Sequence, residues 1–522
     1  MIVLPTTGGS LVFDGYQPKK DAWLVAKLRD AGALILGKAN LSEFANSGYA
    51  SQSAFGEVWN AFDPSKSSIG SSGGSAVAVA SSFAAASLGT QTGDSLWGPA
   101  GAASLFSLRG SDGMGSTDGV MPLTYIQDYA GFFTKSIADL ALLMQTTAVD
   151  DPEDPLDDVA NGHRPTDWTK YLSADALQGK VIGVPATAFN DLFQTTNTSN
   201  AMRAQFKYFT QAGATVKDIA DPPPAPTTTT GDKNYEGWLK WIQAHPDNPY
   251  TDPVQIIRSA KRLPQYRNTT TYTGTGAMTN AEIKAFQDYR ANYRAILGQW
   301  MDDQGVDAVV FPTELSDIHL NDGIEPTFGR RDPQASASGV PTVIMPVGTN
   351  DNGQPIGLQL EGRAWSDDQL LGYANAFELL AHGQVDPTDV TPALAYDADA
   401  TPTPIVTMTP APNPAPTGQL TITRTHLKAG KKGTFKVQVG CASEKLVCTG
   451  TVSVSYKGRS FSSSKVSVSA GHIQAVTVKI SKAARKQLKK HGKADFQVYL
   501  AGTGSTVTTA EPVKVTVRRS RS

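Results

Sequence analysis

Two glycine- and serine-rich blocks, Gly70-Ser71-Ser72-Gly73-Gly74-Ser75 and Gly89-Thr90-Gln91-Thr92-Gly93-Asp94-Ser95, bracket a run of Ala, Val and Ser from Ala76 to Leu88. This stretch restricts the fold more than any other part of the 522-residue chain. Side chains so small suit a helix packed tightly inside a sheet protein. Such a helix brings Ser71 and Ser95, 24 positions apart, toward each other. Glycine on either side lets the backbone come close to a substrate and, at positive φ, turn its N–H groups toward one point. The pattern predicts an oxyanion site beside a serine nucleophile.

Other chemistries fit less well. Gly70-x-Ser72-x-Gly74 matches the letters of a nucleophile elbow, but that motif needs a strand directly before it and a later Asp and His in order. Asp63-Pro64-Ser65-Lys66-Ser67-Ser68 reads as a loop, and the seven histidines are scattered. No Gly-Lys-Ser/Thr ending marks a phosphate loop, and neither His-Glu-x-x-His nor Cys-x-x-Cys marks a metal site. No metal and no cofactor is expected.

The two blocks, in this order and spacing, resemble the amidase signature family. Upstream, Asp21-Ala22 to Ala33 and Leu36-Gly37-Lys38-Ala39-Asn40 with Glu43-Phe44 are similar to its helix and strand before the signature. Downstream, Ser116 to Pro122, Asp128, Ser136-Ile137-Ala138-Asp139, Gly339 to Gly348 and Gly353 to Gly357 are similar to its continuation. The resemblance spans residues 5 to 385. It implies an α/β fold, an α/β/α core with a mixed central sheet. It also implies that Ser95 is the nucleophile, that Ser71, on a cis peptide, bridges to a lysine, and that the N–H groups of Thr92, Gly93, Asp94 and Ser95 form the oxyanion hole. A serine hydroxyl is a poor nucleophile until a neighbour takes its proton, and a desolvated neutral lysine does so through an intervening hydroxyl. The expected substrate is a small-molecule or peptide-like linear amide, hydrolysed through an acyl-enzyme.

The family's lysine lies on a strand before the segment matching Pro5-Thr6-Thr7-Gly8-Gly9-Ser10, and here only Met1-Ile2-Val3-Leu4 precede it. Lys19, Lys20 and Lys38 fall elsewhere and read as surface or structural lysines. The expectation is a chain without its first segment, inactive or slow as given; the alternative is a non-catalytic secreted protein that binds through its C-terminal domain. Gln91 stands where the family usually has Asp, Asp94 where a second Gly is common, and Trp97 where Arg is frequent. Asp94 puts a carboxylate beside developing negative charge, and Trp97 reads either as acyl-pocket lining or as core.

Composition divides the chain into three: residues 1–399, a Pro/Thr-rich spacer at 400–417, and 418–522. The spacer suits an extended, stiff tether. Beyond it, Thr434–Val439, Thr451–Tyr456, Ala475–Ile480, Ala494–Leu500 and Pro512–Val517 alternate apolar and polar residues, the period of half-buried strands. They predict an all-β sandwich similar to immunoglobulin-like modules. Cys441 and Cys448 suit a disulfide across a hairpin, as in an oxidising compartment. Residues 418–522 hold 20 Lys and Arg against 3 Asp and Glu, a net of +17 that the overall −2 conceals. Such a module suits an anionic partner such as a cell-wall polymer. The Lys482 to Lys493 run has neither aromatic stacking positions nor a motif for nucleic acid. No apolar stretch reaches the roughly 18 residues of a membrane span. Tether, strands and cysteines together point to a secreted protein. The aromatic stretch from Tyr235 to Tyr272 reads as packing of a helical cap, with cleft lining for an aryl or peptide-like substrate as the alternative.

Overall fold

Short apolar runs such as Ala308–Pro312 and Pro355–Glu361 are buried along their whole length, the pattern of strands covered on both faces. In a computed structural model they lie inside an eight-stranded mixed sheet. The structure describes residues 4–190, 196–228, 230–266, 276–321, 334–390, 420–429, 434–441, 448–456, 459–480, 482–502 and 513–519. The chain divides into two compact units, Met1–Tyr396 and Asp397–Ser522. The spacer at 400–417 lies outside the described residues.

In the first unit, β1 (Gln52–Ser53) and β2 (Gly56–Glu57) make a small hairpin. The main sheet holds β3 (Ser87–Gln91), β4 (Phe106–Arg109), β5 (Tyr129–Thr134), β6 (Val181–Pro185), β7 (Thr215–Ile219), β8 (Ala308–Pro312), β9 (Thr342–Thr349) and β10 (Pro355–Glu361) in the order β3-β5-β4-β9-β10-β8-β6-β7. Pairing is antiparallel from β3 to β8 and parallel across β8, β6 and β7. Helices α1 (Trp23–Asp30), α2 (Gly73–Ala80), α3 (Trp97–Ala102) and α4 (Ile137–Thr147) precede the parallel part. Ser136 caps α4 by accepting from Asp139 N at 3.1 Å. One apolar core joins Leu108, Phe133, Val343 and Leu358 of the sheet to Ala76, Leu140, Leu371 and Phe377 of the helices.

Two expectations are corrected. The run Ala76–Leu88 is not one helix: α2 ends at Ala80, Ser82 takes a φ of +60°, and Leu88 joins β3 opposite Phe132. Sheet pairing outweighs helix propensity there. Leu36–Asn40 forms no strand, having no strand partner among the described residues, and Leu34 and Leu36 are exposed.

The second unit contains β11 (Leu420–Ile422), β12 (His426–Ala429), β13 (Thr434–Cys441), β14 (Cys448–Tyr456), β15 (Arg459–Val468), β16 (Ile473–Lys479), β17 (Lys493–Gly502) and β18 (Val513–Arg519). They form a three-stranded sheet, β11-β13-β16, and a five-stranded sheet, β12-β18-β17-β14-β15. Both contribute to one core, where the Phe435 and Phe496 rings lie 4.9 Å apart. Cys441 and Cys448 are bridged. The lysine run from Lys482 is a helix, Lys482–His491, so the unit is not all-β: Ala484 and Leu488, four residues apart, turn one face into the core.

Asp112, just beyond β4, gathers three buried guanidiniums. Arg109 Nη2 lies 2.9 Å from it, Arg290 Nη2 2.7 Å and Arg294 Nη1 2.7 Å. Burial works to raise the Asp112 pKa, but Arg290, Arg109 and Arg294 outweigh it and hold the carboxyl well below the usual range. Removing one member of a buried ion cluster costs about 3–5 kcal/mol because the rest stay desolvated. Asp112→Asn is therefore expected to lower the unfolding free energy from urea titration by that amount or to prevent folding; a loss under about 1 kcal/mol would contradict it.

Candidate active site

The glycines of the first block serve close approach, which corrects the expectation of left-handed turns: none of Gly70, Gly73, Gly74, Gly89 or Gly93 has a positive φ. A Cβ on Gly70 would lie 2.4 Å from the Ser47 carbonyl oxygen, and one on Gly74 2.2 Å from that of Asn40. The Gly70–Ser71 peptide bond is cis. Ser51 Oγ holds the turn, its one proton shared between the Ile69 and Ser71 carbonyls at 2.9 and 3.0 Å, and it accepts from Gly73 N at 2.9 Å. Ser72 Oγ bridges the N–H and carbonyl of Thr90 at 3.1 Å each. It is thereby occupied structurally, and no strand leads directly into Gly70, so the nucleophile-elbow reading fails. The Ser71 hydroxyl is fully buried and has no hydrogen-bond partner among the described residues.

Ser95 sits in the turn between β3 and α3, 4% exposed. The helix that follows, α3, packs beside the first block: a Cβ on Gly98 would lie 2.7 Å from Cγ2 of Ile69, the residue just before that block. The Ser71 and Ser95 hydroxyls are not hydrogen-bonded to each other. Three consecutive carbonyls of the turn are held. Gln127 Nε2 donates to Thr92 O at 2.9 Å, Ser336 Oγ to Gly93 O at 2.5 Å, and Gly98 N to Asp94 O at 2.9 Å. In a trans peptide the N–H points away from the carbonyl, so these contacts turn the N–H groups of Gly93, Asp94 and Ser95 to the opposite side. Among the described residues the amides of Thr92, Gly93 and Ser95 have no acceptor.

Gln91, buried at the end of β3, completes the frame. Its Oε1 accepts from Leu96 N at 3.0 Å and Trp97 N at 3.2 Å, and its Nε2 donates to Ser336 Oγ at 3.0 Å. Thr92 Oγ1 donates to Asp128 Oδ1 at 2.5 Å. Burial raises the Asp128 pKa and the hydrogen bonds from Thr92, Leu123 N and Thr124 N lower it, leaving it at about 6. The Asp94 carboxylate lies against Gly48, where a Cβ would fall 2.4 Å from both oxygens. Trp97 belongs to the core, which corrects the acyl-pocket reading.

Ser336 is placed by its neighbours. Arg290 Nη1 donates to Ser336 O at 2.9 Å and Arg294 Nη1 to Ser338 O at 2.9 Å. Glu361 on β10 accepts from Gln334 N and Ala335 N, and its burial, only partly offset by these bonds, pushes its pKa up to about 8. Neither Ser336 nor Glu361 was legible from spacing; the Gly339-Val340-Pro341 run before β9 marked only the segment.

Lys20 pairs with Asp118 at 3.3 Å, and Lys38 Nζ is hydrogen-bonded to Thr6 Oγ1. No lysine reaches the Ser71 hydroxyl among the described residues. His245 Nδ1 meets Trp241 O at 2.8 Å and His319 Nε2 meets Tyr49 O at 2.8 Å, both structural contacts. Trp238, Trp241 and Tyr250 pack on Phe13, as the cap reading expects; Tyr272 lies outside the described residues. A groove lined by Thr124, Tyr125, Asp128, Trp241 and His245 runs beside the Thr92–Asp128 contact. Among the described residues there is no metal-ligand cluster.

Ser336→Ala releases Gly93 O and one side of Gln91. It is expected to slow phosphonate modification of Ser95 about ten- to a hundredfold, less than the 100- to 1000-fold for losing an oxyanion donor outright, with near-UV circular dichroism unchanged. Glu361 keeps its proton in the fold up to about 8, whereas the unfolded chain releases it near the ordinary value of 4.5. Wild-type stability therefore falls as pH rises between these values. Relative to wild type, Glu361→Gln is expected to gain about 2–4 kcal/mol between pH ~5 and ~8.5 in urea titrations; a constant difference would contradict this.

Residues 3–371 match the family described as Amidase. The chain is 30% identical over 393 residues to a glutamyl-tRNA(Gln) amidotransferase subunit of Roseiflexus sp. (strain RS-1), covering 72% of this chain and 79% of that protein. It is 29% identical over 416 residues to the same subunit of Jannaschia sp. (strain CCS1), covering 72% and 81%. Among solved structures, the native peptide amidase from Stenotrophomonas maltophilia superimposes with a TM-score of 0.64 at 29% identity, over 74% of this chain and 81% of that one. With a family match over more than half its length and this site, the chain belongs to the amidase signature family of hydrolases.

Proposed function

We propose that the first unit hydrolyses a linear amide through an acyl-enzyme on Ser95. Ser95 Oγ attacks the carbonyl carbon, its proton passes by way of the Ser71 hydroxyl toward the leaving amine, and the carbonyl oxygen takes up negative charge against the amides of Thr92, Gly93, Asp94 and Ser95. Collapse expels the amine, and water attacks the ester to free the acid and Ser95. The observation that carries this reading is the set of amides at Thr92, Gly93 and Ser95 that have no acceptor among the described residues, those of Gly93 and Ser95 turned by carbonyls fixed on the other side. Similarity to a peptide amidase at 29% identity supports a peptide-like amide. With no described group to draw the proton from Ser71, the 522-residue chain turns over slowly.

The second unit is read as an immunoglobulin-like module on a secreted protein, a reading supported by the Cys441–Cys448 bridge. The net charge of +17 over residues 418–522 holds the chain near an anionic polymer such as that of a cell wall. If Ser71 is never deprotonated, this binding role alone survives.

A serine-directed phosphonate is expected to label wild type and Ser72→Ala but not Ser95→Ala, read by intact-protein mass spectrometry. Labelling of Ser95→Ala, or no labelling of wild type at any concentration, would remove the acyl-enzyme reading.

A further inference from the structure

The exposed cations of the second unit are not evenly spread. On its strands Lys436 faces Thr477, Lys479 faces Thr434, and Lys514 faces Gln497 and pairs with Asp495 at 2.9 Å. One row departs from this. Lys428 on β12, Arg518 on β18 and Lys493 on β17 stand directly opposite one another on three adjacent strands. All three are exposed, while their sequence neighbours Leu427, Val517 and Ala494 turn into the core. Among the described residues no carboxylate forms an ion pair with the row; Asp495, two positions along β17, attracts Lys493 at longer range but is itself paired with Lys514 and accepts from Thr516. The Lys482–His491 helix enters β17 through Gly492 and brings exposed Lys489 and Lys490 to the same end of the strand.

Like charges set opposite each other on neighbouring strands oppose folding. A row of three with no ion-pair partner among the described residues, and only the already engaged Asp495 near one end of it, is where an outside anion relieves the most repulsion. We propose that this row binds a linear phosphodiester polymer. Strands lie about 4.8 Å apart, so the row presents three cations over about 10 Å to successive charges of an extended chain. Lysine predominates, and an ammonium acts as a point charge that meets a tetrahedral phosphate from any side, whereas planar carboxylates favour the arginine fork. The inference deepens, and rests on, the reading of the second unit as a tether to an anionic polymer.

The test titrates the full chain with synthetic poly(glycerol phosphate) and with polygalacturonate at about 50–300 mM salt. Two triple variants remove equal charge: Lys428→Gln/Lys493→Gln/Arg518→Gln in the row, and Lys436→Gln/Lys465→Gln/Lys479→Gln elsewhere. The row variant is expected to bind poly(glycerol phosphate) at least about 30-fold more weakly, with a log–log salt slope shallower by about 2–3, and to melt no lower than wild type. The second variant stays within about threefold, and polygalacturonate binds at least about tenfold more weakly than the phosphodiester. Equal weakening by both triples would overturn the row as the site and leave the tether reading standing. Equal binding of polygalacturonate would overturn the phosphodiester assignment. If wild type bound neither polymer, the tether reading itself would fall.

Discussion

One buried carboxylate with three guanidiniums organises the catalytic unit. Asp112 follows β4, and Arg290 and Arg294 lie on the long Asn280–Gln304 helix, so the ion cluster joins sheet to helix. Each arginine has N–H groups left over. Those of Arg290 and Arg294 go to the carbonyls of Ser336, Ala337 and Ser338, and Arg109 Nη1 goes to Gly110 O. The cluster thus fixes a four-residue helix too short to be stable alone. Gly339 is required beside it, because at its φ of +84° a Cβ would lie 2.2 Å from Asp112 Oδ2. From that helix Ser336 reaches Gly93 O and Gln91, so the turn at residues 92–95 inherits its position from charges buried elsewhere.

Burial alone does not decide how a carboxyl behaves here. Asp112 and Glu361 are each 1% exposed and both bear on the same short helix. Guanidiniums surround Asp112 and keep it ionised. Glu361 receives two backbone N–H groups and no described cation, so desolvation dominates and it stays protonated at neutral pH. Asp128 falls between, its desolvation partly offset by a hydroxyl and two amides. An ionised Asp128 accepts from Thr92 without returning a proton, which leaves the Thr92 hydroxyl directed in one sense.

The family and the sheet architecture were legible because several ordered blocks carry them, and Gly70–Ser75 with Gly89–Ser95 could be placed by residue type alone. The helix end was not: Ala76–Leu88 has uniformly small side chains, and only pairing of Leu88 with Phe132 stops the helix early. The lysine-rich run after Lys482 hid a helix for a related reason. Two apolar positions, Ala484 and Leu488, suffice to seat it, a signal too sparse to stand out among six lysines and arginines from Lys482 to Lys493. Ser336 acts through contacts more than 240 positions away, and Glu361 reaches Gln334 N and Ala335 N from β10, a placement set by a strand order that no local spacing encodes.

The departures at Gln91 and Asp94 become intelligible once the turn is seen as a set of held carbonyls. An amide side chain at position 91 accepts from Leu96 N and Trp97 N as a carboxylate would, and it also donates to Ser336. A carboxylate could not make that last bond unless protonated. Gln91 and Ser336 are therefore complementary: the amide donates to the hydroxyl, and the hydroxyl passes its own proton to Gly93 O. The Asp94 side chain, for its part, is turned onto Gly48, whose missing Cβ leaves room for both carboxylate oxygens.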